Sequence, residues 1–359
     1  IDRAENGWSR VRLVSQPHLH IHGDLRDGQG RAVFGFGGGE MRPTDIVSDG
    51  EALLVREAAR NETRLRVQFP HGVRAEQTGG QFLEAGWLEL LAVREGPPRE
   101  QDGDMKGRWS LRELHGDKGV KIDYRKAAAD GRTYLARLES RELMHLVPPN
   151  GAARTELEGQ PRIVIRGDLS LGTLTREGDR ILATARDRAW IEPVDSALGD
   201  PEHDAASLRR IVLEGSARLA RQNPELGVRE DTLSGERIEF LVHELAATDT
   251  TPAKTTVTTL VAEGDVRIGS PWIEGTTPRL VLEALDSQRP RIAAIGVGTA
   301  VTLPLLREDQ GLLGADKPEP TAPGGSPAPT PQGEGRWTVR RLLAREDVEI
   351  QTEIGRASC

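Results

Sequence analysis

The chain has 359 residues, with 48 Lys and Arg against 56 Asp and Glu, a formal net charge of -8, 36% hydrophobic residues and only 4% aromatic ones. That balance offers no clustered positive field for a nucleic-acid backbone, few aromatics for a large α/β enzyme core, and too much apolar patterning for general disorder. No apolar run approaches the ~18 residues of a membrane-spanning helix, and a lone cysteine, Cys359, excludes an intrachain disulfide and a multi-cysteine metal site.

Along the chain, His18-Leu19-His20-Ile21-His22 comes first. On a strand its three imidazoles share one face, as ligands of Zn²⁺ would. Same-face neighbours lie ~7 Å apart, however, so three on a straight strand do not meet at one ion. The segment reads as a polar edge face, with no metal and no cofactor. Phe34–Gly39 (FGFGGG) lacks the Lys-Ser/Thr and the helix start of a phosphate loop, and reads as a strand-ending turn. Ser48–Ala59 has some helical composition, interrupted by Gly50.

Alternating apolar and polar residues then predict strands at Arg64–Phe69, Gly86–Leu91, Gly131–Leu138, Arg162–Arg166, Gly178–Ala185, Val212–Leu219, Gly235–Leu241, Val257–Ile268 and Thr277–Glu283. Arg99–Lys106 and Asp195–Ser207 read as surface loops. Gly314–Gly335 (GADKPEPTAPGGSPAPTPQGEG) has little to bury, and its prolines cannot donate to a ladder. Four stretches follow: a β-repeat array over 1–313, a Pro/Gly-rich linker or loop over 314–335, a continuation of the array over 336–353, and 354–359 as a candidate non-native tail.

The array is inferred from a period of about forty-eight residues. Runs begin at Leu25, Val73, Val120, Leu169, Ala217, Val266, Val301 and Val348. Leu208–Leu219 (LRRIVLEGSARL) lies over Val257–Ile268 (VTTLVAEGDVRI) without a gap, and Ile163–Leu171 (IVIRGDLSL) is placed in the same frame. Gly107–Ile122 likewise lies over Gly335–Ile350. In that frame Arg166-Gly167-Asp168 is a structural turn rather than an adhesion tripeptide. Stacked units of this kind bury their apolar faces against their neighbours.

Nothing in the chain marks out catalysis. His243-Glu244 has no second histidine four residues after the first, and no Gly-x-Ser-x-Gly elbow occurs. Carboxylates are plentiful, but no pair stands apart for glycoside hydrolysis. Trp87, Trp109, Trp190, Trp272 and Trp337 read as packing residues rather than a sugar-stacking row, because Trp109 and Trp337 occupy matched repeat positions. The chain is expected not to be an enzyme.

The unit around Gly264-Asp265-Val266-Arg267-Ile268, with Val257–Glu283 as its fullest copy, then Leu208–Leu241 and Gly335–Ile350, resembles the organic-solvent-tolerance family of periplasmic lipopolysaccharide-transport bridge proteins. The resemblance implies an elongated antiparallel β-jelly roll of two twisted sheets, with a β-solenoid as the alternative architecture. It implies a periplasmic, non-enzymatic carrier of lipopolysaccharide or another acylated lipid, stacked end to end with other jelly-roll transport proteins through edge strands. In that frame Val120, Ile122, Leu169, Leu171, Leu219, Val266, Ile268, Val301 and Leu303 line the lipid groove. Eight units, each adding about two strands to a sheet at ~4.8 Å per strand, give a span of about 75 Å. A structural or adhesive β-repeat, or a carbohydrate-active β-helix enzyme, are the other readings.

Overall fold

The structure is a computed structural model, and it describes residues 2–4, 7–21, 44–58, 62–77, 81–95, 109–127, 133–148, 153–166, 180–194, 208–222, 231–245, 254–269, 274–283, 291–295, 300–302, 342–343 and 349–353. The described residues contain strands and no helix. In chain order the strands are β1 Asp2–Ala4, β2 Gly7–Leu13, β3 His18–Ile21, β4 Thr44–Ser48, β5 Ala52–Ala58, β6 Glu62–Phe69, β7 Val73–Gln77 and β8 Gln81–Glu95. Next come β9 Ser110–Ala127, β10 Thr133–Ser140, β11 Glu142–Leu146, β12 Arg154–Glu158, β13 Arg162–Arg166, β14 Arg180–Thr184, β15 Arg188–Pro193 and β16 Leu208–Gln222. The last are β17 Asp231–Leu245, β18 Lys254–Gly269, β19 Glu274–Glu283, β20 Arg291–Ile295, β21 Ala300–Thr302, β22 Leu342–Leu343 and β23 Glu349–Glu353.

All pairings are antiparallel and fall into two rows. The first row runs β1, β2, β5, β6, β8, β9, β11, β12, β15, β16, β17, β18, β19, β20, β23. The second runs β3, β4, β7, β8, β9, β10, β13, β14, β16, β17, β18, β19, β21, β22. The long strands β8, β9 and β16 to β19 serve both rows, one half in each. Through β9 and β16, eight strands (β9, β11, β12, β15, β16, β14, β13, β10) close an antiparallel barrel, and the others extend it on either side. At ~4.8 Å per strand, the second row spans about 60 Å.

Burial follows the alternation that the sequence carries. In β6 the residues Thr63, Leu65, Val67 and Phe69 are buried, whereas Arg64 is exposed. Inward side chains of both rows, such as Leu213, Phe240 and Leu260 from the first and Ile122, Ala183 and Leu219 from the second, form one buried apolar cluster. Outward positions carry charge, and opposite charges face each other across strands. Arg188, Glu214, Arg237, Glu263 and Arg279 stand directly opposite one another from β15 to β19. They are joined at 2.7, 3.7, 3.5 and 3.3 Å.

The chain passes between the rows at a corner, and the corners share one long side of the molecule. Five of them carry two successive residues of positive φ: Ser15-Gln16 (65° and 58°), Lys118-Gly119 (63° and 87°), Gly159-Gln160 (73° and 63°), Gly215-Ser216 (79° and 46°) and Gly264-Asp265 (75° and 47°). Glycine takes this conformation without the steric cost that a Cβ brings. Neighbouring corners are bonded to one another. Gly119 N–H donates to Arg141 O (3.0 Å), Arg141 N–H to Glu158 O (3.1 Å), and Gly159 N–H to Asp187 O (3.1 Å).

Two sequence expectations are corrected here. Ser48–Ala59 is not helical: β4 ends at Ser48, the chain turns, and β5 puts Ala52 and Leu54 on the core face two residues apart. Gly50 belongs to that corner, where a Cβ would meet the His71 ring at 2.3 Å. The frame given to Ile163–Leu171 also shifts. Ile163 already lies beyond its corner, so the counterpart of Glu214-Gly215-Ser216 and Glu263-Gly264-Asp265 is Glu158-Gly159-Gln160. Of Arg166-Gly167-Asp168, Arg166 lies opposite Arg180 at the far end of β13, away from that corner, and the other two lie outside the described residues.

Candidate functional site: an apolar interior joined along one side

The space between the rows is where the expected groove residues fall. Val120, Ile122, Leu219, Val266 and Ile268 are all buried members of the apolar cluster, each on the second row just past a corner. Val301 pairs with Gly275 and Leu342 in β21. Leu169, Leu171 and Leu303 lie outside the described residues. The interior is closed at Val266, Ala217, Ile163 and Leu213, which are 0% exposed. Side chains at that level have other side chains, not an open channel, beside them.

The two long sides differ. On the corner side, covalent crossings and backbone hydrogen bonds lace the rows together. On the opposite side, successive strands stay in the same row. The chain leaves the second row at Ala127 and re-enters it at Thr133, leaves the first row at Leu146 and re-enters it at Arg154, and leaves the first row at Leu245 and re-enters it at Lys254. No strand pairing or backbone hydrogen bond among the described residues joins the rows there.

A few polar side chains face inward. His145 and Thr155 point from β11 and β12, with His145 Nδ1 2.8 Å from Thr155 Oγ1. At the unlaced margin of the first row, Thr63 of β6 and Arg94 of β8 stand directly opposite each other on the core face. Arg94 Nη2 donates to Thr63 Oγ1 at 3.4 Å, and its guanidinium carbon lies 5.6 Å from the centre of the Trp109 ring. Arg94 was legible from phase, since Leu88, Leu90, Ala92 and Arg94 follow in steps of two. A strand ended at Leu91 leaves it out.

Of the histidine segment, His18–Ile21 form β3, which pairs only with β4 among the described residues, and His22 lies outside them. His18 Nε2 and His20 Nδ1 lie 3.0 and 2.6 Å from Asp45 Oδ1 on β4. Hydrogen bonds from His20 and then His18 hold the Asp45 carboxyl below its usual range. No group of three side chains suited to a metal ion occurs among the described residues. The three tryptophans Trp87, Trp109 and Trp190 have separate surroundings. Trp109 packs against the core, Trp87 meets the His115 ring edge-on with centroids 5.0 Å apart, and Trp190 lies between Arg154 and Arg188. Trp272 and Trp337 lie outside the described residues.

On the outer face, Asp123 is 1% exposed and takes two hydrogen bonds from Arg137, at 2.5 and 2.8 Å. That contact holds the Arg137 guanidinium above its ordinary pKa. No helix among the described residues is long and apolar enough to cross a membrane. No family model, no curated protein and no solved structure matches the chain.

Proposed function

We propose that the two rows are the walls of an elongated β-jelly roll that carries lipopolysaccharide or a related acylated lipid, as a non-enzymatic component of a bacterial envelope. The observation that carries this reading is the one-sided lacing of a continuous apolar interior. Among the described residues no strand pairing or backbone hydrogen bond ties the rows on the side opposite the corners, so a parting there would break none of those. Acyl chains would then lie among Val120, Ile122, Leu169, Leu171, Leu219, Val266, Ile268, Val301 and Leu303, with the sugar head outside. Burying a chain there returns apolar surface to an apolar setting, at about 0.8 kcal/mol per methylene. Among the described residues the terminal strands of each row pair on one edge only, which suits end-to-end addition of similar proteins.

A structural β-repeat scaffold is the second reading, favoured by the closed packing at Val266. One experiment separates the two. A photo-crosslinking residue at Val266, with exposed Arg267 as control, is offered lipopolysaccharide. Labelling from position 266 and not from 267 supports the carrier. A folded protein that labels from neither is a scaffold.

A further inference from the structure

We propose that the outer face of the second row binds an acidic glycan, one with a carboxylate on alternate sugars, laid along a line of arginines from β13 to β18. The proposal concerns the outer face and stands whether or not a lipid enters between the rows.

The line is a consequence of register. From β7 to β10 it reads Arg74, Glu84, Lys121 and Glu139, each directly opposite the next. Glu84 meets Arg74 at 3.3 Å and Lys121 at 3.8 Å, so this part is a charge ladder like that from Arg188 to Arg279 on the first row. From β13 the acids stop. Arg162, Thr184, Arg218, Ser234 and Arg267 follow, again directly opposite one another, on β13, β14, β16, β17 and β18. The long strands β16 to β18 thus show Glu214, Arg237 and Glu263 on one row, and Arg218, Ser234 and Arg267 on the other. Among the described residues, the outward positions of β13, β14 and the second-row halves of β16 to β18 carry Arg162, Arg180, Arg218 and Arg267 and no acid. The argument uses the sign of these positions, not an arginine without a partner. Arg162 keeps Glu139 at 3.1 Å, and Arg218 has a contact of its own.

Spacing selects the partner. Cations on alternate strands stand about 10 Å apart, and Arg162 to Arg267 is about 19 Å. A pyranose in an extended chain advances by about one strand spacing. Carboxylates on alternate sugars therefore fall in phase with Arg162, Arg218 and Arg267, all exposed, and the sugars between lie over Thr184 and Ser234. The planar guanidinium fork matches both oxygens of a carboxylate, and the two hydroxyls can donate to or accept from sugar hydroxyls. Val164, Leu182 and Ala220 occupy the next register beside the line, an apolar ground for the C–H edges of the sugars. A single file of charge suits a linear polyanion, whereas a membrane surface calls for cations spread over the whole face. Each exposed contact is weak, and several on one chain reinforce one another through effective concentration.

The test titrates the full chain into fluorescently labelled hyaluronate oligosaccharides long enough to reach from Arg162 to Arg267, read by anisotropy at low ionic strength, with labelled dextran as the neutral counterpart. Wild type is expected to bind hyaluronate and not dextran, with an affinity that falls as salt is added. Arg267→Gln should weaken binding about three- to fivefold, and Arg218→Gln combined with it about tenfold or more. Arg279→Gln removes the same charge from the first-row ladder and should leave the affinity unchanged. No binding by wild type, equal binding of dextran, or an equal loss in Arg279→Gln overturns the proposal. So does binding of phosphatidylglycerol vesicles through Arg218 and Arg267 without binding of hyaluronate, which would make the face a membrane contact. Should the double variant fail to fold, Arg267→Gln decides: a weakened affinity supports the line, and an unchanged one overturns it.

Discussion

The left-handed corners should be the points where a single methyl group does most damage, and two glycines allow the causes to be separated. Gly119 has φ 87° with nothing within 4 Å of an added Cβ, whereas a Cβ on Gly264 (φ 75°) would meet Glu236 Cβ at 2.8 Å and Cγ at 3.0 Å. Gly119→Ala therefore carries the backbone penalty alone, about 1–2 kcal/mol. Gly264→Ala adds a steric clash that must be relieved by moving β17, about 1–3 kcal/mol more. Glu236 shares its corner with Gly235, where a Cβ would already meet the Glu263 carbonyl at 2.9 Å, so the strand has little room to retreat. Urea unfolding followed by far-ultraviolet circular dichroism gives both values against wild type, and Gly264→Ala should lose about twice the stability of Gly119→Ala or more. Gly119→Asn should recover much of the loss at that site, because asparagine tolerates the left-handed region. If Gly119→Ala is neutral, or costs as much as Gly264→Ala, the corners are not conformational restraints and the argument fails.

Arg137→Met removes the partner of a buried carboxylate, and the uncompensated Asp123 should cost about 3–5 kcal/mol in the same assay; a loss below about 1 kcal/mol would mean that Asp123 finds water or another donor. Glu263→Lys sets like charges beside Arg237 and Arg279 on a partly exposed face, so a loss of about 0.5–1 kcal/mol should shrink in high salt; insensitivity to salt would deny the ladder an electrostatic role. Hydrogen bonds from His20 and then His18 hold the Asp45 carboxyl below its ordinary range, so its contribution is present above the unfolded carboxylate pKa and is lost as pH falls through the lower folded pKa. Wild type and Asp45→Asn should thus differ near neutral pH and converge in acid; a difference that persists at the lowest pH would show that the contact does not depend on ionisation.

Much of the architecture is legible in the chain because strand alternation is a one-dimensional signal. Leu65, Val67 and Phe69, or Ile238, Phe240 and Val242, declare a face without any knowledge of partners. The corner signal is subtler. Glu-Gly followed by a polar residue works at Gly215 and Gly264 because the glycine and its successor both turn left-handed. The tripeptide at Arg166-Gly167-Asp168 imitates that spelling, whereas the true corner hides its likeness behind Pro161. Composition misleads at Ser48–Ala59, where Ala, Leu, Arg and Glu suit a helix and only the phase of Ala52 and Leu54 reveals the strand. Alternation tells which side a residue faces but not how far away the opposing wall stands, so a closed interior and an open groove look the same in sequence. Arg94 shows the converse: its inward phase is written in the chain, but its ring neighbour becomes visible only when β8 and β9 are laid side by side.

The alternation of charge from Arg188 to Arg279 bears on how such a molecule can lengthen. Arginine stands on β15, β17 and β19, and glutamate on β16 and β18. Left-handed corners fall on β16 and β18, while β17 between them turns without positive φ at Gly235. A duplicated hairpin of two strands would slot in with every charge still opposite its complement and the two kinds of corner still alternating. A single added strand would place like beside like and reverse the direction of everything after it. Gene duplication can therefore extend the array only in even increments, each adding about 10 Å, and relatives of different reach should differ by whole hairpins.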